Sequence, residues 1–291
     1  TGSSLKIYDL EGNAQEAVGD QVAQMSFAVS HDQTKVAVGI LDQSTNNNDI
    51  WIRDIQRGIR NRWTFHSDTD LTPVWSPDDT EIAYASRRAD RPGIYIKPAS
   101  GAGEGRLVWE TDKSIFVTDW SPDGRYVSCH INQGGDRDIM IIPVAGDGEP
   151  APFLKTSFNE WEGAFSPDGR WFTFSSDESG NEQVYVAPFP GPGGKWQVSV
   201  KEGDRGQWRP DGEAIFYLDN EDNINVADVS AVGDALRVGR VEQLFPVTAA
   251  RPGTIFHLMD DGRKILVNER NTVGNESTII LVQNWSREIG R

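Results

Sequence analysis

The sequence predicts an all-β fold: a single six-bladed β-propeller with four antiparallel strands per blade. Three observations carry this expectation. One hairpin motif recurs along the whole chain, each copy is followed by short strands of alternating pattern, and no stretch shows a sustained helical period. The clearest hairpin is Trp120-Ser121-Pro122-Asp123-Gly124-Arg125-Tyr126-Val127. Pro122 presets φ for the first central turn position, Asp123 can bond the backbone locally, and Gly124 tolerates positive φ. The aromatic and β-branched flanks suit a pleated surface.

Copies of this turn stand at Trp75-Ser76-Pro77-Asp78-Asp79, Phe165-Ser166-Pro167-Asp168-Gly169 and Trp208-Arg209-Pro210-Asp211-Gly212. Degenerate copies stand at Val29-Ser30-His31-Asp32-Gln33 and Leu258-Met259-Asp260-Asp261-Gly262. The shared aspartates are spaced by 46, 45, 45, 43 and 50 residues. After each turn comes an alternating strand, such as Ile82 to Ala85, Trp171 to Ser175 or Ala214 to Leu218. A polar loop follows, then a third strand of the Ile94-Tyr95-Ile96 kind, then a weaker fourth such as Leu107-Val108-Trp109. Four short strands per period of forty-odd residues is the signature of a propeller blade.

In chain order, Thr1-Gly2-Ser3-Ser4 reads as a cloning remnant or a disordered start. The propeller is expected to occupy 5–285, with 286–291 as a tail. Complete units fall near 21–65, 70–110, 114–155, 158–199 and 204–245. The last unit, 253–285, has a first strand at Ile255 to Leu258, a second at Lys264 to Glu269 and a third at Thr278 to Val282, but no clear fourth. An open ring would leave unpaired strand edges. The segment 5–18 is therefore expected to supply an outer strand to that last blade. The count gives one strand more than six four-stranded blades hold, so Leu5–Leu10 or Ala14–Val18 is expected to pair irregularly.

Composition bounds the function. The net charge of −16 and pI near 4.6 argue against nucleic acid and anionic membrane surfaces. No apolar run is long enough for a transmembrane helix or a secretory signal. The single Cys129 has no internal partner and reads as a small buried hydrophobe on a second strand.

The repeated aromatic-Ser-Pro-Asp-Gly turn, with its Ile-Tyr-Ile third strand, resembles the TolB-like, WD40-like (PD40) propeller repeat family over nearly the whole chain. Phe189-Pro190-Gly191-Pro192-Gly193-Gly194-Lys195-Trp196 and Val282-Gln283-Asn284-Trp285 resemble the C-terminal propellers of bacterial serine/threonine receptor kinases. No kinase signature occurs in the sequence itself. The resemblance implies a non-catalytic monomer in the periplasm or outside the cell, binding a protein or peptide partner at the axial mouth. It transfers no catalytic residue. His31 stands where the motif has Pro, and Arg209 where it has Ser.

Chemistry must come from elsewhere than the repeat. Asp78, Asp123, Asp168 and Asp211 occupy one blade position, so they lie apart on a ring and read as turn caps. The four histidines show no zinc-ligand spacing, and Gly-x-Ser-x-Gly does not occur. No cofactor is expected. The loops Asn46–Asp49 and Gly134–Asp138 would suit calcium, although they lack the EF-hand pattern and read first as solvated hairpin ends.

Innermost strands line the channel, and their starts face its mouth. The position before each terminal aromatic or aliphatic holds Ala28, Val74, Asp119, Ala164, Gln207 and His257. Two residues earlier stand Ser26, Thr72, Val117, Glu162, Arg205 and Ile255. Residues kept for folding should be uniform here, yet these vary in charge and size. Asp119, Glu162, Arg205, Gln207 and His257 are therefore expected to form a polar cluster on the axis, with Trp161 as an exposed contact beside it. The cluster suits a peptide or small polar ligand. The competing class is a lyase or hydrolase using the same pocket, with Asp119, Glu162 and His257 as its candidate groups. Trp63, also near a loop, is likewise expected as an exposed contact, whereas Trp51, Trp75, Trp120, Trp171 and Trp208 read as wedges between blades.

Overall fold

The structure is a computed structural model that describes residues 2–145, 148–154, 156–191, 193–251 and 253–271. The chain begins with β1 (Ser3–Asp9) and β2 (Ala14–Ala17). Blade one holds β3 (Gln24–Val29), β4 (Lys35–Asp42), β5 (Asn47–Asp54) and β6 (Arg60–Arg62). Blade two holds β7 (Asp70–Trp75), β8 (Glu81–Ser86), β9 (Gly93–Pro98) and β10 (Arg106–Glu110). Blade three holds β11 (Ser114–Trp120), β12 (Tyr126–Gln133), β13 (Asp136–Pro143) and β14 (Ala151–Pro152). Blade four holds β15 (Glu160–Phe165), β16 (Trp171–Ser176), β17 (Gln183–Pro188) and β18 (Trp196–Gln197). Blade five holds β19 (Gly203–Trp208), β20 (Ala214–Asp219), β21 (Asn223–Val232) and β22 (Ala235–Pro246). The last blade begins with β23 (Phe256–Met259) and β24 (Lys264–Arg270). Every sheet has four antiparallel strands; the first five are meanders, and the sixth has the order β2-β1-β24-β23.

That sixth sheet corrects two expectations. The N-terminal segment supplies both outer strands of the last blade, not one. Leu5 pairs with Asn268 and Ile7 with Leu266 across β1 and β24, and β2 lies outside β1 with a register shift between Ile7 and Tyr8. The strand expected at Thr278–Val282 and the motif Val282–Trp285 lie outside the described residues. Nor are residues 1–4 a disordered start throughout: β1 begins at Ser3, and Ser3 and Ser4 are both buried. Ser3 also exchanges backbone hydrogen bonds with Val22, which ties the strand to the approach to blade one.

The core lies between blades, as propeller geometry requires. Six apolar clusters each join two neighbours; Trp75, Tyr84 and Trp63 fill the wedge between blades one and two, and Phe165, Phe172 and Phe174 that between three and four. Flat rings fill a tapering gap with few voids. Cys129 is fully buried among these side chains.

The turn aspartates are caps. Ser121 Oγ donates to Asp123 at 2.7 Å and accepts from the Tyr126 N–H at 2.9 Å, and the Ser76–Asp78 and Ser166–Asp168 pairs repeat the pattern. These bonds hold the Asp78 and Asp123 carboxyls below the ordinary carboxylate range, led at Asp78 by the Ser76 hydroxyl.

Two departures from the turn motif, His31 in blade one and Asp79 in blade two, compensate one another. Asp79, where the motif has Gly, sits at φ 58° and accepts from the backbone N–H groups of His31 (2.8 Å) and Asp32 (2.9 Å), and lies 3.0 Å from the His31 ring. A proline at position 31 would have no N–H to offer. His31 and Asp79 thus clasp the first two blades together.

Candidate functional site

Six innermost strands, one per blade, surround the axis of a six-bladed propeller, so the channel is the natural place for side chains from many elements to meet. Here it has a volume of about 780 Å³ and is lined by the innermost strand of every blade. One end carries the Ser-Pro-Asp-Gly turns. The other carries the starts of the inner strands and the hairpins between second and third strands.

The inner strands enter that second face through a repeated distortion. The pairing register jumps between Leu71 and Val74, between Trp161 and Ala164, and between Asp204 and Gln207. At each jump a non-glycine residue takes a left-handed conformation: Thr72 at φ 49°, Glu162 at 51° and Arg205 at 57°. A side chain in this region costs on the order of 1 kcal/mol, and such bulges re-aim what they carry. In blade two the re-aimed side chain is structural, because Thr72 Oγ1 accepts from the Val117 N–H at 3.0 Å. In blades four and five the same position presents a carboxylate and a guanidinium.

The expected polar cluster therefore separates into two tiers. Glu162 and Arg205 form the tier at the mouth, 3.8 Å apart. Arg205 also pairs with the buried Asp204 and donates through Nε to the Gly253 carbonyl at 3.3 Å. Arg251 approaches Asp204 at 3.6 Å and binds Asp222 at 2.7 Å. Burial pushes the Asp204 carboxyl up, and the two guanidiniums oppose that shift.

Asp119, Gln207 and His257 lie one step further along the strands. Asp119 Oδ2 accepts from the Phe165 N–H at 2.7 Å, and Gln207 Nε2 donates to the Phe256 carbonyl at 2.6 Å. Both are thus staples between blades, not free recognition groups. Desolvation pushes the Asp119 carboxyl up to about 6 and the His257 imidazole down to about 4. Among the described residues, no hydrogen bond joins Asp119, Glu162 and His257, and no three metal-ligating side chains come together.

Trp161 departs from expectation. It is 5% exposed, not a surface contact, because its ring lies under the Arg137 guanidinium at 5.1 Å. Trp63 departs from expectation too: it is buried in the wedge between blades one and two and is no exposed contact.

The channel wall contains further groups that the inner-strand alignment did not reveal: His130, Arg137, Glu182, Asp204 and Arg251. Arg137 and Glu182 stand two residues before the first apolar residue of the third strands of blades three and four, a position held by Asn48, Pro92 and Asp222 in the other units. That position varies as widely as the inner-strand one, so the same test applied to third strands would have found them. His130 is buried and stacks on Phe116 with ring centroids 4.9 Å apart. Burial, reinforced by Arg137 and Arg205, pushes its imidazole down to about 3.

The comparisons agree with this architecture. Residues 110–241 match the PD40 family, described as the TolB beta propeller domain. The fold is similar to that of a putative TolB from Agrobacterium tumefaciens, with 18% identity, a TM-score of 0.71, and coverage of 94% of this chain and 99% of that one. TolB from Acinetobacter baumannii gives 21% identity and a TM-score of 0.62, over 83% of this chain and 65% of that one. An enzyme propeller, an oligogalacturonate lyase in complex with manganese, is also similar, at 13% identity, a TM-score of 0.55, and coverage of 82% and 67%. At these identities the likeness is one of fold. Residues 110–241 thus carry the TolB β-propeller repeat, and the chain as a whole has the TolB-like six-bladed fold.

Proposed function

We propose that the chain is a non-catalytic recognition module of the bacterial periplasm or cell exterior, which docks a protein or peptide on the strand-start face. The single observation that carries this reading is the left-handed bulge at Glu162 and Arg205. Glycine would take that conformation without strain, yet the chain places two charged residues there, at the mouth of the channel. The same bulge in blade two carries Thr72 in a structural hydrogen bond, so it is the charge placed at this strained position in blades four and five that supports recognition.

The loops on the same face add apolar contact area. Phe65, Phe158 and Val200 connect outer strands to the next inner strands and are 69%, 45% and 71% exposed. Charged groups at a mouth ringed by apolar side chains suit a protein partner. The enzyme reading has less support, because Asp119 is engaged with a backbone N–H and Glu162 faces Arg205.

Glu162→Gly separates function from stability. The substitution removes the carboxylate and relieves the left-handed strain, so the melting temperature should hold or rise. Immobilised wild-type protein should retain a partner from extracts of cells that make it, and the variant should lose most of it. Equal retention by both would overturn the proposal.

A further inference from the structure

Among the described residues Arg137 makes no ion pair. Its guanidinium lies over the Trp161 ring, and among the described residues no carboxylate comes within ion-pair distance of it and no side-chain hydrogen bond engages it. The other two guanidiniums of the mouth are engaged, Arg205 with Asp204 and Glu162, and Arg251 with Asp222 and Asp204. Glu182 on the same channel wall is exposed and near enough to feel the Arg137 charge, but among the described residues it makes no ion pair or hydrogen bond with it, so the fork borders the channel.

A second group beside it lacks a partner. His130 is 7% exposed, and its Nδ1 has no hydrogen-bond partner. The register places the two together. Asn132 pairs with Arg137 and His130 with Ile139 across β12 and β13, so His130 and Arg137 share one face of blade three. Phe116 pairs with His130 across β11 and β12 and stacks on its ring, and Trp161 of blade four closes the opposite side. The imidazole is neutral here and carries one N–H, which can donate to an acceptor that Arg137 also binds.

We propose that this corner of the mouth, with Arg137 stacked on Trp161 beside the buried, unpartnered ring nitrogen of His130, is a carboxylate-binding subsite. It rests on the reading of the mouth as a recognition surface and specifies what the mouth takes. The chemistry follows from the donors. A guanidinium presents paired N–H groups that match the two oxygens of a carboxylate, and the Trp161 face keeps the fork oriented. The Phe116–His130 stack gives the apolar part of an acid a flat surface to lie against. The overall charge of −16 repels acids at long range, so binding here depends on short-range contacts and should persist at 0.15 M salt.

The carboxylate can come from a peptide C-terminus or from a free organic acid, and three probes separate these. N-acetyl-glycyl-leucine, its C-terminal amide and glutarate would each be titrated at constant ionic strength. The Arg137 Nε–H and His130 ring resonances would be followed by NMR. The free-acid peptide should move both signals, and the amide should move neither. A response to the peptide acid but not to glutarate identifies a C-terminus, and an equal response to both identifies a free acid. Arg137→Gln should weaken binding at least about tenfold, and His130→Phe, which keeps the stack, should weaken it less.

Three results would overturn the subsite: acid and amide behaving alike, no response to either acid up to about 50 mM, or Arg137→Gln lowering the melting temperature without changing binding. The wider reading fails separately. If Glu162→Gly leaves partner retention intact while Arg137→Gln still abolishes acid binding, the subsite stands and the docking face does not. If partner retention depends on Glu162 but acid and amide bind alike, the docking face stands and the subsite falls.

Discussion

Asp119→Asn offers a quantitative test of how the channel wall is built. The Asp119 carboxyl accepts one hydrogen bond from the Phe165 N–H and has no cationic partner close by, so desolvation dominates and raises it to about 6. In the unfolded chain it titrates at its ordinary value of 3.8. Above pH 6 both states are ionised and the folded state bears the full cost of the buried charge. As the pH falls from 6 to 4 the folded state takes up its proton first, so this group's contribution to stability rises, and below 4 the gain is complete. A shift of about two units corresponds to about 3 kcal/mol, an upper bound because the half-buried side chain borders channel water. Asparagine keeps the acceptor for Phe165 and removes the charge. The variant should therefore be more stable than wild type by about 1.5–3 kcal/mol at pH 7, and by nearly nothing at pH 4. The turn aspartates titrate in the opposite sense and cancel in this difference. Urea denaturation of both proteins across pH 4 to 8 measures it. A difference independent of pH, or a variant less stable at pH 7, would show that the Phe165 N–H outweighs desolvation.

Three further outcomes follow from the packing. His31→Pro and Asp79→Gly should each cost about 1 kcal/mol in urea denaturation, while the double variant, which restores the motif at both places, should lie near wild type; additive losses would refute the clasp. Arg53 is fully buried and its Nη1 donates to the Val18 carbonyl at 2.6 Å, with Asp20 Oδ1 2.8 Å from Nη2, so Arg53→Ala should cost about 3 kcal/mol and loosen the crossing from the N-terminal strands to blade one, seen as faster hydrogen exchange at Val18 and Ser3. Gly253 has φ 109°, and a Cβ there would stand 1.5 Å from the Met25 carbonyl oxygen, so Gly253→Ala should lower stability by more than about 2 kcal/mol; a neutral result would contradict the close approach of the last blade to the first.

The repeat made the fold legible because a blade is a local unit. Turn chemistry at Ser121–Gly124 and strand alternation after it are written within a dozen residues, and six copies fix the ring. Closure was only half legible. Leu5 to Leu10 shows a strand pattern, but pairing with Ile265 to Asn268 is a contact across nearly the whole chain, and no local signal distinguishes one donated strand from two. The site was legible where variation at an equivalent position marks a break from folding uniformity, as at Glu162 and Arg205. The same rule did not separate recognition groups from staples, because Asp119 and Gln207 vary for the sake of hydrogen bonds to the next blade. Trp161 was misplaced for a related reason: closeness to a loop in sequence does not reveal that Arg137 from another blade covers the ring. The left-handed φ at Glu162 and Arg205 has no sequence signature at all, since the usual marker, glycine, stands one residue later at Gly163 and Gly206.

The central claim is that recognition occurs on the strand-start face. A photo-crosslinking scan in the cells that make the protein tests it most directly, with p-benzoylphenylalanine placed at Phe65, Phe158 and Val200 on that face and at Asp123, Asp168 and Asp211 on the turn face. One partner crosslinked from the first set and absent from the second is the predicted result. Adducts confined to the turn face would contradict the account.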